Sequence, residues 1–211
     1  MENNQNFVLL DNSIVKSKVS IFRDKYCSCE KFRQIVNDLS IFLCYEACKN
    51  LKLSTYSVET PIETTTGYKL ESKISVVEIM RAGLGMVPGF LKIIPDAHVG
   101  HIGVSRNETT LIPSIYYCKL PENISKTDVF LVDPMLATGG SSSSSIEILK
   151  QKGVEKITFL CLIAAPAGVE KLQKDHPDVQ IFAASLDDHL NEKGYIVPGL
   201  GDAGDRVFNT L

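Results

Sequence analysis

The stretch LVDPMLATGGSSSSS, residues 131–145, decides the fold. An apolar run ending at Val132 leads into Asp133 and Pro134, and a short loop then reaches two glycines and five consecutive serines. A serine tract can be flexible, but the amphipathic IEILKQKG follows directly, so we expect a helix to start within the serines. The stretch therefore predicts a buried strand, a glycine-rich turn and a helix.

Similar strand-like and helix-like segments alternate through the rest of the chain. Strands that are apolar throughout are typical of a parallel sheet that is covered by helices on both faces. The sequence thus predicts an α/β fold with a Rossmann-like open parallel sheet and helices on both faces. The predicted strands are residues 74–79, 97–104, 114–118, 129–132, 157–163 and 179–184, and the predicted helices are residues 30–51, 84–94, 141–151 and 166–174.

No internal repeat or linker divides the chain, so residues 1–211 are expected to form a single domain. Residues 54–70 are polar and alternating, with breaks at Pro61 and Gly67, which indicates a hairpin or a projecting β-arm. We expect an N-terminal helix and this arm over about residues 1–73, a core over about 74–184, and a C-terminal hood over about 185–211.

The composition, with 44% hydrophobic and 22% charged residues, is that of a soluble globular protein. A formal net charge of −3 gives no basic surface for nucleic acid or an anionic membrane, so neither partner is expected. The longest apolar stretch, residues 157–169, is too short to span a membrane and contains Pro166. The N-terminal MENNQNF has no basic start and no apolar signal core, so a cytoplasmic location is expected.

The six cysteines do not have the spacing of a zinc site. Four of them lie in apolar patterns, where a thiol behaves as a small hydrophobic group, so we expect reduced structural cysteines. His98 and His101 are three residues apart on a predicted strand. This spacing directs them to opposite faces and disfavours a shared metal ion.

Ligands of an open parallel sheet bind beyond the carboxyl ends of its strands, next to helix N-termini. The segment RAGLGM, residues 81–86, follows the predicted strand 74–79 and so lies at such an end. Gly83 and Gly85 would let backbone amides approach an anion, and Arg81 adds a planar bidentate donor. On this segment alone, the alternative that the glycines only permit a strand-to-helix turn stays open.

The opening stretch places a second glycine-rich loop at a strand end. Thr138, Gly139, Gly140 and Ser141 bring amides and hydroxyls to the start of a helix, an arrangement that binds phosphate. Asp133 would be repelled by a phosphate and suits the hydroxyls of a sugar, which donate hydrogen bonds. No lysine follows the glycines, so the segment is not a Walker loop. The loop therefore predicts a site for a sugar phosphate.

The tail GYIVPGLGDAGDRVF, residues 194–208, is also glycine-rich. Gly199, Gly201 and Gly204 satisfy the pattern G-x-G-x-x-G, but the seven residues after Gly204 leave no room for a dinucleotide-binding unit. An irregular segment of this kind can instead present its backbone N–H and C=O groups to a flat polar ligand.

Three segments together resemble the uracil phosphoribosyltransferase family, which has the type I phosphoribosyltransferase fold: RAGLGM, DPMLATGGS and GYIVPGLGDAGD. The likeness continues through HVGHIGVSRNETT, YYCKLP and AAPAGVEKLQKDHPDV, and more loosely through FRQIVNDLSIFLCYEA, so it covers nearly the whole chain in order. The resemblance implies transfer of ribose 5-phosphate from 5-phosphoribosyl 1-diphosphate (PRPP) to N1 of uracil. The products would be UMP and diphosphate, as in pyrimidine salvage.

The resemblance also implies roles for individual residues. Arg81 and Arg106 would neutralise the diphosphate, helped by Mg²⁺ that is held mainly through the oxygens of PRPP, so no direct metal ligand in the chain is expected. Arg106 and Asp202 are the candidate catalytic residues, and Asp202 would also contact PRPP. The residues implied to bind PRPP in the loop are Asp133, Pro134, Met135, Leu136, Ala137, Thr138, Gly139, Gly140 and Ser141; those implied to bind uracil are Ile196, Gly201, Asp202 and Ala203.

Several residues depart from the pattern of the family. Glu78 stands where a proline is expected, and Ser105 where an aromatic residue is usual. Thr109 and Ile112 replace acids in the loop that follows, and the serines 142–145 replace small apolar residues. These changes leave the phosphate loop intact and bear on loop closure and on contacts between subunits.

Other functions and partners stay open at this stage. A regulatory protein that binds a nucleotide or RNA on the same fold is one alternative, which the net acidic charge disfavours. A transferase for a purine or orotate is another alternative. The carboxylate of orotate would need a cation in the tail, and the basic residues nearest to the tail's glycines are Lys193 and Arg206. Some family members are activated by GTP, and GTP activation stays open here. The apolar helix and the arm favour a homodimer or a larger homo-oligomer.

Overall fold

The structure, a computed structural model, describes residues 6–106 and 113–210. Its strands are β1 (Phe7–Leu9), β2 (Leu53–Glu59), β3 (Thr64–Leu70), β4 (Lys73–Met80), β5 (His98–Arg106), β6 (Pro113–Lys119), β7 (Thr127–Val132), β8 (Met135–Leu136), β9 (Ile157–Ala164), β10 (Gln180–Leu186), β11 (His189–Leu190) and β12 (Ile196–Val197). Its α-helices are α1 (Ser13–Arg23), α2 (Cys29–Ala47), α3 (Val87–Ile93), α4 (Gly140–Gln151), α5 (Pro166–Asp175) and α6 (Ala203–Phe208).

The main sheet has the strand order β1-β10-β9-β7-β4-β5-β6, and β8 extends it next to β9. All neighbours in this sheet are parallel except β5 and β6, which pair antiparallel with a register shift between Gly103 and Val104. The predicted open parallel sheet is confirmed, but strand 114–118 was wrongly placed among its parallel members. The six residues between β5 and β6 are too few for the crossover that a parallel pair needs.

Helices cover both faces of the sheet, as predicted. On one face, buried side chains of α1, α2, α3 and α6 pack with Val76, Phe130 and Leu162 of the strands. On the other face, α4 and α5 pack with Val77 and Leu131. Because neighbours along a strand point to opposite faces, Val76 and Val77 belong to different cores. This explains why the strands are apolar at nearly every position.

Helix α2 shows how local sequence sets its bounds. Ser28 accepts a hydrogen bond from the amide of Lys31 and caps the N-terminus. Phe32, Leu39 and Leu43 lie on its buried face. The helix ends at Ala47, four residues before the predicted end. Beyond it, amides form the shorter-range hydrogen bonds of a 3₁₀ turn, such as Leu51 N–H to the carbonyl three residues earlier, Cys48.

The predicted helix 84–94 is also shorter than expected. A 3₁₀ turn spans Ala82–Gly85, and α3 begins only at Val87. A Cβ added to Gly83 would lie 2.8 Å from the carbonyl oxygen of Val132, which is too close for a side chain. Glycine at this position therefore lets the turn approach the end of β7 closely. The loop therefore packs tightly against the central strands before the helix starts.

The N-terminal segment contains two elements that were not predicted from the sequence. Strand β1 pairs with β10 at the edge of the main sheet. Helix α1 is capped by Asn12 and buries Val15, Val19 and Phe22, and the Phe22 ring stacks on Phe32 at 4.5 Å between centroids. The proposed division near residues 73 and 184 stays a prediction.

The predicted hairpin over residues 54–70 is confirmed. Strands β2 and β3 pair antiparallel as a two-stranded sheet of their own. Among the described residues, no helix is long and apolar enough to cross a membrane. All six cysteines are free thiols.

Candidate active site

Three segments meet at the carboxyl edge of the sheet. The arginine loop, residues 81–86, follows β4, and the phosphate loop, residues 133–141, follows β7. The hood, residues 185–210, brings α6 against the arginine loop. A Cβ added to Gly204 would lie 3.8 Å from the Cβ of Ala82 and 3.9 Å from Nη2 of Arg81. The edge thus combines a cation, a helix start and a glycine-rich tail.

The phosphate loop is shaped by glycine at the start of α4. Gly139 is the N-cap residue with φ +75°, in the left-handed region that disfavours other residues. Its carbonyl accepts from the amide of Ser143 at 2.9 Å, so the helix is formed from its first turn. The amides of Gly140, Ser141 and Ser142 precede that bond and point out of the helix end, an arrangement that can bind an anion.

Helix α5 supports the phosphate loop from below. The amide of Ala165 donates to the carbonyl of Leu136 at 2.8 Å. A Cβ on Gly168 would lie 2.5 Å from the carbonyl oxygen of Ala137, so α5 touches the loop backbone directly. This contact fixes the position of the loop relative to the sheet.

Asp133 lies at the end of β7 with its carboxyl group almost surrounded by protein. Burial raises its pKa to about 7, the hydrogen bond from the Met135 amide at 3.2 Å opposes that shift, and the nearby Glu78 carboxylate adds to it. The residue as a whole is half-buried rather than fully buried. The group can therefore receive hydroxyl donors from a ligand that reaches the loop.

Arg81 faces the hood. Its Nη2 forms an ion pair with Oδ1 of Asp205 at 3.0 Å, and about half of the side chain is exposed. The hydroxyl of Thr210 and then Arg81 lower the pKa of Asp205. Asp205 was not singled out in the sequence, although it is the second acid of the segment GDAGD. The guanidinium is thus held at the rim of the edge.

Asp202, the candidate catalytic residue of the hood, caps α6. Its Oδ1 accepts from the amide of Asp205 at 2.9 Å, and its carbonyl accepts from the amide of Arg206 at 3.1 Å. The same Oδ1 lies 3.2 Å from a Cβ added to Gly204. The structure therefore places Asp202 close to the arginine loop and gives it a capping bond.

The hood is anchored by an ion pair that the sequence pattern does not predict. Arg23 of α1 binds both carboxylate oxygens of the buried Asp187 and donates to the carbonyl of Gly199 at 2.9 Å. Asp187 also accepts from the amide of Gly199 at 2.8 Å. These contacts hold the turn that starts the glycine-rich segment.

The implied uracil-binding residues all lie in the hood. Ile196 and Ala203 are buried, and Gly201 has φ +84° with no atom within 4 Å of an added Cβ. The space beside Gly201 is open, as a pocket for a flat ligand requires. The side chains of Ser105 and Arg106, and residues Thr109 and Ile112, lie outside the described residues.

The fold is that of the type I phosphoribosyltransferases. The chain superimposes on the adenine phosphoribosyl transferase of Trypanosoma brucei with a TM-score of 0.60, covering 93% of this chain and 88% of that chain at 11% identity. It matches the AQ2163 protein of Aquifex aeolicus far better, with a TM-score of 0.89 and 41% identity over 96% and 97% of the two chains.

The sequence comparisons resolve the family within this class. A model of the uracil phosphoribosyltransferase family matches residues 8–210. The uracil phosphoribosyltransferase of Lactiplantibacillus plantarum is 50% identical over 205 residues, which cover 97% of this chain and 98% of that protein. The chain belongs to the uracil phosphoribosyltransferase family.

Proposed function

We propose that the carboxyl edge of the main sheet transfers the 5-phosphoribosyl group of PRPP to N1 of uracil, giving UMP and diphosphate. The observation that carries this assignment is the phosphate loop, where the start of α4 and the carboxylate of Asp133 lie at the end of the same strand. Membership of the uracil phosphoribosyltransferase family supports the choice of substrates.

The phosphate loop would bind the sugar phosphate end of PRPP. The amides at the start of α4 and the hydroxyls of Thr138 and Ser141 would hold the 5-phosphate. The ionised carboxylate of Asp133 would accept hydrogen bonds from the ribose hydroxyls. The backbone of residues 134–137 lies between these two groups and would line the sugar.

The diphosphate would be bound by Arg81 and Arg106, together with a Mg²⁺ ion that arrives with PRPP. The described residues bring together no group of three or more His, Cys, Asp or Glu that could enclose a metal ion. Such an arrangement fits a Mg²⁺ that keeps water and phosphate oxygens as its ligands. When bound, the ion would neutralise charge on the departing diphosphate.

The chemical step breaks the bond from C1′ to the diphosphate oxygen and forms the bond from C1′ to N1 of uracil. The N1 proton leaves to a base or to solvent. A glycosyl transfer of this kind passes through an oxocarbenium-like transition state. The largest contributions to the rate therefore come from aligning uracil with C1′ and from neutralising the charge on the departing diphosphate. Asp202, near the arginine loop, would assist N1 deprotonation or hold the ribosyl group.

Uracil would be read by the backbone of the hood. It presents a carbonyl, an N–H and a second carbonyl along one edge, to which Ile196, Gly201 and Ala203 would offer their N–H and C=O groups. Cytosine reverses the polarity at two of these positions and would leave buried groups unpaired. A mismatch of this kind discriminates by about 10⁴ or more.

A diphosphate-release assay with uracil and PRPP tests the function. Turnover is expected with Mg²⁺ and is expected to fall to background when EDTA removes it. Cytosine, orotate and hypoxanthine at equal concentration serve as matched substrates, and each should be used at least about 10³-fold less well than uracil. Preference for any of them would refute the assignment.

The enzyme is further proposed to work as a homodimer or larger homo-oligomer. The arm exposes large apolar side chains, among them Tyr56, Tyr68 and Ile62, which is 92% exposed. Apolar groups of this size on a projecting hairpin favour contact with another chain. GTP activation is a separate hypothesis, and measuring turnover with and without GTP would decide it.

A further inference from the structure

The serines at the start of α4 are a sequence feature that the proposed mechanism uses only in part. Ser143 lies in the first turn of α4, and its amide closes that turn by donating to the carbonyl of Gly139 at 2.9 Å. The side chain of Ser143 forms hydrogen bonds to Asp175, the last residue of α5, and to His176 after it. Ser143 therefore joins the turn whose amides are proposed to bind phosphate to a second helix.

His176 is the buried member of this contact. It is the C-cap residue of α5, is 6% exposed, and donates its amide to the carbonyl of Leu172 at 2.8 Å. Its Nε2 lies 3.0 Å from the hydroxyl oxygen of Ser143 and 3.2 Å from the carbonyl oxygen of the same residue. A polar group buried in this way needs its hydrogen bonds, so the positions of His176 and Ser143 are linked.

The chemistry of the acceptors fixes the direction of each bond. The carboxylate of Asp175 only accepts, so the hydroxyl of Ser143 donates to its Oδ2 at 3.1 Å. The carbonyl of Ser143 also only accepts, so Nε2 of His176 carries the proton that both oxygens of Ser143 receive. His176 is thus a donor to the first turn of α4.

Neighbouring charges favour these protonation states. Lys171 lies 2.7 Å from Oδ2 of Asp175 and is the main cause that lowers the pKa of Asp175, so this carboxylate stays ionised. Burial and then the charge of Lys150 lower the pKa of His176, so its ring is neutral above pH 7. The donor is therefore neutral, and the charge of the acceptor is balanced by a lysine.

Helix α5 also touches the phosphate loop one turn before Ser143. A Cβ added to Gly139 would lie 3.1 Å from the carbonyl oxygen of Gly168 and 3.4 Å from the Cβ of Lys171. Gly168 and Lys171 are three residues apart and so lie on one face of α5. Because α5 and its C-cap contact both Gly139 and Ser143, they hold the two ends of the turn that contains the amides of residues 140–142.

We propose that His176 is a positioning residue for the 5-phosphate of PRPP: by donating to Ser143, it fixes the first turn of α4 where the free amides of that turn bind the phosphate. Without this donor, both oxygens of Ser143 lose a hydrogen bond and the turn can shift relative to α5. A shift of about 1 Å weakens the bonds from several amides at once. This inference rests on the proposed phosphate-binding role of the loop.

Two substitutions of His176 test the proposal. His176→Leu removes the donor, and His176→Gln restores one, because the amide nitrogen of glutamine can take the place of Nε2. The kinetic constants are measured with Mg²⁺ at a temperature at which every variant is folded. We expect His176→Leu to raise the PRPP KM at least about fivefold, with the uracil KM and kcat within about twofold of wild type. His176→Gln should return the PRPP KM to within about twofold of wild type.

Lys150→Ala is the matched control. Lys150 also links α4 to the segment that follows α5, through an ion pair with Asp178 at 2.6 Å, but it lies in the last turn of α4. Its loss should leave the PRPP KM within about twofold of wild type.

Hydrogen exchange in the protein without substrate reports on the turn itself. The Ser143 amide should exchange at least about fivefold faster in His176→Leu. The Lys152 amide, which bonds to the Ile148 carbonyl at the other end of α4, should keep its wild-type rate. If His176→Leu does not fold, Ser143→Ala decides, because it removes the hydroxyl acceptor and should raise the PRPP KM at least about threefold.

The outcomes separate this inference from the proposed function. A wild-type enzyme that turns over uracil, with an unchanged PRPP KM in His176→Leu and Ser143→Ala, would overturn the role of His176 even if both variants were less stable. A joint rise of the PRPP and uracil KM values would also overturn it, because the contact would then support the whole edge. A wild-type protein that binds no PRPP would refute the function instead, and unchanged exchange of the Ser143 amide would then exclude the positioning as well.

Discussion

At the carboxyl end of β7, burial raises the pKa of Asp133 from 3.8 to about 7. Burying this carboxyl group lowers the stability of the folded protein, so we expect the group to contribute to ligand binding rather than to stability. Asp133→Asn keeps the bond from the Met135 amide but loses the charge that accepts from ribose hydroxyls. We expect PRPP affinity at pH 8 to fall by about tenfold to 100-fold, measured by calorimetry. Unchanged affinity would remove the ribose role.

The same substitution should stabilise the folded protein at alkaline pH. Between the unfolded pKa and about 7, the folded state keeps a proton that the unfolded chain releases, so stability falls as pH rises. Asn removes this penalty. The difference in unfolding free energy between Asp133→Asn and the wild type should therefore grow in favour of the variant by about 1 kcal/mol between pH 5.5 and 8.5, after allowance for partial solvent access. Urea denaturation of the wild type and of Asp133→Asn at the two pH values measures it, and a constant difference between them would contradict the prediction.

Gly201 tests the backbone pocket for uracil. Its φ of +84° makes valine strained there, and the added branch would enter the open space beside it. Gly153→Val is the matched control, because Gly153 has φ +79° but follows α4, outside the hood. Both variants should lose about 1–2 kcal/mol of stability, while Gly201→Val alone should raise the uracil KM at least about tenfold. Equal uracil kinetics in the two variants would contradict the pocket.

Among the elements, the hood depends on a helix at the opposite end of the chain. Arg23→Ala leaves the buried carboxylate of Asp187 without its cation and frees the carbonyl of Gly199. We expect a loss of about 3 kcal/mol in unfolding free energy. The uracil KM should rise about tenfold and the PRPP dissociation constant less than about threefold, since the phosphate loop is packed on α5.

Lys16→Ala provides the comparison on the same helix, because the side chain of Lys16 forms an exposed ion pair with Asp11. It should change neither constant. A parallel loss of PRPP and uracil binding in Arg23→Ala would mean that the anchor supports the whole edge rather than the hood.

The elements also show what the sequence can predict. The central strands can be predicted because burial on both faces makes them apolar at nearly every position. The helix after the serines can be predicted from its amphipathic pattern. Helix α1 was missed, although Asn12 and the spacing of Val15, Val19 and Phe22 carry a signal for it. The Arg23–Asp187 pair joins residues 164 positions apart, so no local pattern could connect them. The antiparallel β6 follows from a short connection rather than from the composition of the strand.

Over the whole molecule, the arm is separable from the catalytic edge. Strands β2 and β3 pair with each other, and the Glu71 amide bonds to the Lys52 carbonyl at 3.0 Å where the arm leaves the core. Leu53 and Leu70 are cross-strand partners, so a short linker can close the chain between them. Removal of the arm should therefore leave the sheet and the phosphate loop in place.

We predict that replacing residues 54–69 by Gly-Ser-Gly lowers the assembly to a single chain, because it removes the exposed Tyr56, Ile62 and Tyr68. Light scattering measures the mass, and Glu63→Gln, an exposed polar change at the arm's tip, should keep the wild-type mass. PRPP affinity should change less than about threefold. An unchanged mass would place the contact between chains elsewhere, and a wild-type protein of single-chain mass would refute the oligomer itself. If the variant has the mass of a single chain and also loses uracil turnover, the catalytic edge needs a second chain.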